Sequence, residues 1–151
     1  MSVVIICCGN TLRGDDGVAA RVAAVLREQF DVVEVTQLQP EHADLIRAVD
    51  RVAFVDASRE GPPGEIRCIK VHPVDPESAF SHHLEPQELL ALASTLYGVR
   101  PEAVQITISG AEFELREELT PAVQAAVPHV VRQVAEWVRR TARSTTPSPR
   151  R

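Results

Sequence analysis

A chain of 151 residues is long enough for one ordinary domain with a sizeable core. Hydrophobic residues make up 44%, charged residues 25% and aromatics 4%, so the core has to be assembled from Val, Leu, Ile and Ala, and disorder is excluded as the main state. The formal net charge of −5, with Lys70 as the sole lysine, speaks against a phosphate-backbone partner, and no nucleic acid is expected.

Val3-Val4-Ile5-Ile6-Cys7-Cys8 is a continuous apolar run ending at Gly9-Asn10, which predicts a central strand covered on both faces. No basic signal-peptide start precedes it, and no apolar run approaches the roughly 20 residues that span a bilayer, so no membrane and a cytoplasmic location are expected. Apolar spacing at Val18, Val22, Val25 and Leu26 predicts a helix from Asp16 to about Gln29, capped by Asp15 or Asp16. Val32 to Thr36 predicts a second strand, Glu41 to Val49 a helix and Arg51 to Val55 a third strand, the order of a doubly wound sheet.

Only Ala57 to Gly64 separates that strand's end from the next, about Glu65 to Val71. A parallel crossover needs about a dozen residues, so this strand is predicted antiparallel and at an edge. Residues 72 to 81 read as a loop. A helix then starts at Glu85-Pro86 and stops at Gly98, and Val104 to Ile108 is the last strand. Pro121 to Arg140 is a long helix with Val123, Val127, Val130, Val134 and Val138 on one face and Pro128 as a kink point. The expected fold is α/β: a three-layer α/β/α sandwich around a five-stranded, mostly parallel twisted sheet with one antiparallel edge strand, formed by residues 1–142. Residues 143–151 are polar, proline-rich and basic, and read as a disordered tail.

In an open α/β sheet, ligands bind beyond the carboxyl ends of the strands. After the first strand comes Gly9-Asn10-Thr11-Leu12-Arg13-Gly14-Asp15-Asp16-Gly17. Gly9 and Gly14 have the spacing of P-loop glycines, but Asp15 and Asp16 stand where Lys and Ser/Thr would follow, which repels phosphate and favours a cation. Asp15 reads as a helix cap, and Asp16 as a cap or a ligand. Asp56 follows Val52-Ala53-Phe54-Val55 at the same sheet end, as a loop cap or a ligand. His82 and His83 precede the Pro86 helix, either solvated or brought over the same edge. Two carboxylates and an imidazole are a credible set for a first-row metal with open positions. Adjacent Cys7 and Cys8 point to opposite faces of a strand and Cys68 is distant, so the cysteines read as reduced thiols, the first two as buried small hydrophobes. His42, His72 and His129 lack acidic companions and read as structural or surface residues.

The ordered set Gly9-Asn10-x-Leu12-x-x-Asp15-Asp16-Gly17-Val18, Val55-Asp56-Ala57, Ser81-His82 and Phe113-Glu114-Leu115 before Leu119-Thr120-Pro121 resembles the hydrogenase maturation proteases over about residues 3 to 138. The resemblance implies a nickel-dependent endopeptidase that removes the C-terminal extension of a [NiFe] hydrogenase large-subunit precursor after nickel insertion. The nickel would be carried by that precursor, the implied partner, and contacted by Asp16, Asp56 and His82. His82 is preferred to His83 on its distance to Pro86 and Leu89-Leu90. Cys7-Cys8-Gly9-Asn10 departs from the family's usual Gly-x-Gly-Asn, and Gln37-Leu38-Gln39-Pro40 replaces a Gly-Thr type of loop. Neither Gly-x-Ser-x-Gly nor HExxH is present to support another protease assignment.

Two other readings compete. A response-regulator receiver also has an acid pair after strand one and a phosphoacceptor Asp after strand three. It needs a lysine at the end of its last strand, where this chain has Ile106-Thr107-Ile108-Ser109-Gly110. A chaperone that binds metal or precursor without cleaving it is the other.

Overall fold

The computed structural model describes residues 2–75 and 84–144, with the backbone alone for 141–144. β1 (Val3–Cys8) is an inner strand of the sheet, with β2 (Val32–Val35) parallel on one side and β3 (Arg51–Ser58) parallel on the other. β5 (Glu102–Ser109) runs parallel to β3, and β4 (Ile66–Val71) closes the edge antiparallel to β5, giving the order β2-β1-β3-β5-β4. The short β3–β4 connection therefore has the consequence read from its length. Arg67 and Lys70 stand exposed on the edge strand, a common guard against further strand pairing.

Successive residues of β1 serve different layers, which is why its apolar run does not alternate. Ile5 and Cys7 pack with α1 (Val18–Leu26) and α4 (Pro121–Ser144), whereas Val4 and Ile6 pack with α2 (Ala43–Ile46) and α3 (Pro86–Tyr97). The result is the expected three-layer sandwich. Val123, Ala126, Val130, Val134 and Val138 form the buried stripe of α4, which continues through Pro128 on its exposed side. The last seven positions, 145–151, lie outside the described residues. No helix among the described residues is long and apolar enough to cross a membrane.

Three helices differ from their expected spans. α4 runs on to Ser144, past its expected end at Arg140 and into the first two positions read as tail. The first helix begins as a 3-10 turn at Gly14–Gly17 and becomes α-helical only at Val18, and neither Asp15 nor Asp16 caps it, because their carboxylates bond elsewhere. In place of a helix over 41–49 there is a 3-10 turn at Pro40–His42 and the single turn of α2, where Ala43 and Ile46 are the buried residues. α3 matches its reading: Glu85 and Glu88 form a reciprocal capping box, Pro86 opens the first turn, and Gly98 ends it at φ 68°.

From β1 the chain moves outward to β2, and from β3 it moves outward the other way. That reversal opens a crevice at the carboxyl ends of β1 and β3.

Candidate active site

Past Cys8 the chain folds tightly onto the 3-10 turn that carries Asp16. A Cβ at Gly9 would lie 2.0 Å from the Asp16 carbonyl oxygen, so only glycine permits this approach. Asp16 Oδ2 accepts the Asn10 N–H at 2.6 Å, and Asn10 Oδ1 accepts the Leu12 N–H at 2.9 Å. The loop thus holds half-buried Asp16 by one oxygen; the other has no hydrogen-bond partner among the described residues.

Asp56 enters from the neighbouring strand. It follows the buried run Arg51–Val55, is itself half-buried, and accepts the Ala57 N–H on Oδ1 at 2.7 Å. Burial pushes its carboxyl up, the Ala57 N–H partly offsets this, and the negative Asp16 and Glu85 add to the rise, leaving it at about 7. Asp16 and Asp56 line one cleft of about 450 Å³, together with Cys8, Arg13, Arg59, Leu84, Glu85 and the Thr36–Leu38 loop.

Cys8 departs from the reading of both cysteines as buried. Cys7 is buried, but Cys8 is half-buried and reaches the cleft, its thiol 3.6 Å from the Thr36 carbonyl oxygen. Burial first, and then the charges of Asp56 and Asp16, push that thiol up to about 12, so it stands in the cleft uncharged. His82 and His83 lie outside the described residues; Leu84 and Glu85, which follow them, border the cleft. Among the described residues no group of three or more His, Cys, Asp or Glu side chains is disposed to hold a metal. His42 has the structural role read for it, its Nδ1 accepting the Gln39 N–H at 2.9 Å.

Arg13, Arg59 and Glu85 are cleft residues that sequence reasoning did not single out. Glu85 read only as a helix start. Arg59, three residues past Asp56 and at the same strand end, was open to the rule that led to Asp56.

The profile of the family described as "HycI: Hydrogenase maturation protease" matches residues 20–137. The chain belongs to this family. Among solved structures, the hydrogenase maturating endopeptidase HybD from E. coli shares the fold at 20% identity and a TM-score of 0.72, over 93% of this chain and 94% of that one. The [NiFe] hydrogenase maturation protease HybD from Thermococcus kodakarensis is 25% identical with a TM-score of 0.71, over 91% and 99%. HycI from Thermococcus kodakarensis KOD1, a [NiFe] hydrogenase maturation protease, is 25% identical with a TM-score of 0.70, over 89% and 90%. No curated protein sequence matches the chain. Membership makes the chain a peptidase and sets the receiver reading aside, as does the antiparallel β4, since the receiver's sheet is parallel throughout. Within this hydrogenase maturation protease, the loop Gly9–Gly17 and the end of β3 bring Asp16 and Asp56 to the cleft at the sheet's topological switch.

Proposed function

We propose that this chain removes the C-terminal extension of a [NiFe] hydrogenase large-subunit precursor once nickel has been inserted, and that Asp16, Asp56 and His82 contact that nickel. The reading rests on one observation above all: Asp16 and Asp56, forty residues apart in sequence, border one cleft at the carboxyl ends of adjacent parallel strands. The metal is part of the substrate. Carboxylate and imidazole groups that fill its vacant coordination positions bind a loaded precursor and have little hold on a bare peptide, so the metal becomes the test of readiness. Hydrolysis adds water across the scissile amide: hydroxyl to the carbonyl carbon, proton to the departing amine. A carboxylate of the cleft that does not engage the metal serves as base for that water, or the substrate's nickel acidifies it.

The deciding assay incubates the protein with nickel-loaded and nickel-free precursor from the same organism and follows the mass of the large subunit. One cut near the C-terminus of the loaded form alone is expected, with Asp16→Asn and Asp56→Asn inactive. Cleavage of both forms, or full activity in the Asn variants, would contradict the proposal. Binding of the loaded precursor by wild type without any cut favours the chaperone reading.

A further inference from the structure

Two arginines, Arg13 and Arg59, line the cleft beside its carboxylates. A site that met only a metal cation would be weakened by them, because like charges sharing one cleft repel the incoming ion. Nor does the protein pair them directly: among the described residues neither lies within ion-pair distance of a carboxylate, although Asp16, Asp56 and Glu85 border the same space.

Their positions are built. The Arg59 guanidinium carbon lies 4.1 Å from the centroid of the Phe113 ring. Phe113 is seated in turn, since a Cβ at Gly110 would meet its ring at 2.7 Å, and the N–H groups of Ala111 and Glu112, just before it, both donate to Asp15. Arg13 is fixed through its backbone: its N–H donates to the Asn10 carbonyl at 3.1 Å, and it forms an isolated β-bridge with Arg116. Stacking occupies a guanidinium's face and leaves its in-plane N–H donors available, the geometry that suits a carboxylate.

We infer that Arg13 and Arg59 are specificity-determining residues, which take a carboxylate of the same precursor segment whose metal faces Asp16 and Asp56. The cleft is then bipolar, and its ligand carries a cation and an anion side by side. This rests on the cleft being the precursor-processing site, and the test separates the two.

The probe is the nickel-loaded precursor from the same organism, with Kd, KM and kcat measured for wild type, Arg59→Gln, Arg59→Lys, Arg13→Gln and Phe113→Leu. Both arginines are exposed, and a melting curve on each variant checks the fold. Loss of a charge-assisted pair should raise Kd and KM about tenfold or more in Arg59→Gln, with kcat within about twofold. Arg59→Lys and Phe113→Leu should fall between, the first losing the planar fork and the second releasing it. On the substrate side, each Asp or Glu of the precursor's C-terminal segment is exchanged for its amide, and one variant is lengthened by glycines to displace the terminal carboxylate. One of these must reproduce the Arg59→Gln loss and add nothing to it when combined, which also tells a side-chain carboxylate from the terminal one.

Cleavage with unaltered Kd and KM in both Gln variants overturns the inference and leaves the protease reading standing. Binding that weakens in Arg59→Gln without cleavage by any form supports the inference and contradicts the protease reading. A precursor that wild type neither binds nor cuts overturns both. If no substrate exchange matches the Arg59→Gln loss, the carboxylate is refuted.

Discussion

Asp15 and Thr120, 105 positions apart, are joined twice: the Thr120 N–H donates to Asp15 Oδ1 at 2.7 Å and its hydroxyl to Oδ2 at 2.8 Å. Oδ2 also accepts the N–H groups of Ala111 and Glu112, at 2.7 and 3.1 Å. One fully buried carboxylate thereby ties both ends of the 111–120 loop to the turn that presents Asp16. Burial alone would raise the Asp15 carboxyl; the Thr120, Ala111 and Glu112 donors outweigh it and hold it below the usual carboxylate range.

Asp15→Asn should therefore be costly although it preserves shape, because the amide turns a donor toward groups that are themselves donors. Hydrogen bonds to a charged acceptor are individually worth about 1.5–3 kcal/mol, so a net loss of about 3 kcal/mol is expected. For a domain of this size, that lowers the melting temperature by roughly 6–12 °C. The pH dependence follows from the lowered carboxyl. Its contribution is present above the ordinary carboxylate range and is lost as pH falls through the depressed folded value, so the gap between wild type and Asp15→Asn should narrow in acid. A constant gap from pH 7 down to pH 2 would show that the charge is not what holds the loop.

Asp56 has the opposite linkage. Its folded carboxyl sits at about 7, above the ordinary value of 3.8, so the folded state favours the protonated form. Its contribution is present below that ordinary value and is lost as pH rises through about 7. Asp56→Asn, uncharged at every pH, should thus gain on wild type as pH rises from the ordinary 3.8 to about 7 and keep that lead above it, by several degrees in thermal melts without metal. Equal melting temperatures at pH 8 would show that Asp56 carries no such penalty. The same substitution should abolish nickel-dependent cleavage, so the site is held at some expense of stability.

The layers of this fold were legible because they follow from apolar patterning: β1 is unbroken since both faces are covered, and α4 shows its stripe at helical spacing. The edge strand was legible from loop length alone. The role of Asp15 was not, because a helix cap and a long-range clasp call for the same residue type at the same place, and only the position of Thr120 in space tells them apart. Arg13 and Arg59 were hidden for a related reason: an exposed arginine on a loop is usually solvated, and the Phe113 ring that Arg59 stacks on lies far along the chain. That Asp16 and Asp56 border one cleft was legible because strand ends in an open sheet converge whatever the loops do.

The register of the imidazole has a direct test. Nickel or cadmium titrated into the protein should bind less tightly to Asp16→Asn, Asp56→Asn and His82→Ala, each by about tenfold or more if the ligand contributes at least 1.4 kcal/mol. His83→Ala should remain near wild type. Loss in His83→Ala with an unaffected His82→Ala would move the ligand by one position and leave the carboxylate pair intact.

The end of α4 supplies the last prediction. Arg51, 2% exposed at the start of β3, donates from its guanidinium to the Val138 carbonyl oxygen at 3.3 Å and has the Trp137 ring centroid 5.7 Å from its guanidinium carbon. Trp137 and Val138 are thus the cover of this guanidinium, and removing them vacates their packing and takes away the carbonyl acceptor. Truncation after Arg140 keeps Trp137 and Val138, the outermost member of the buried stripe, and should shift the melting temperature by no more than about 2 °C. Truncation after Glu136 removes both and uncovers Arg51. That variant should lose about 2–4 kcal/mol, from the vacated Val138 and Trp137 contacts together with the lost carbonyl acceptor. A drop of several degrees in the shorter truncation would show that residues beyond Arg140 dock on the domain. Equal stability of the two truncations would show that α4 does not shield Arg51.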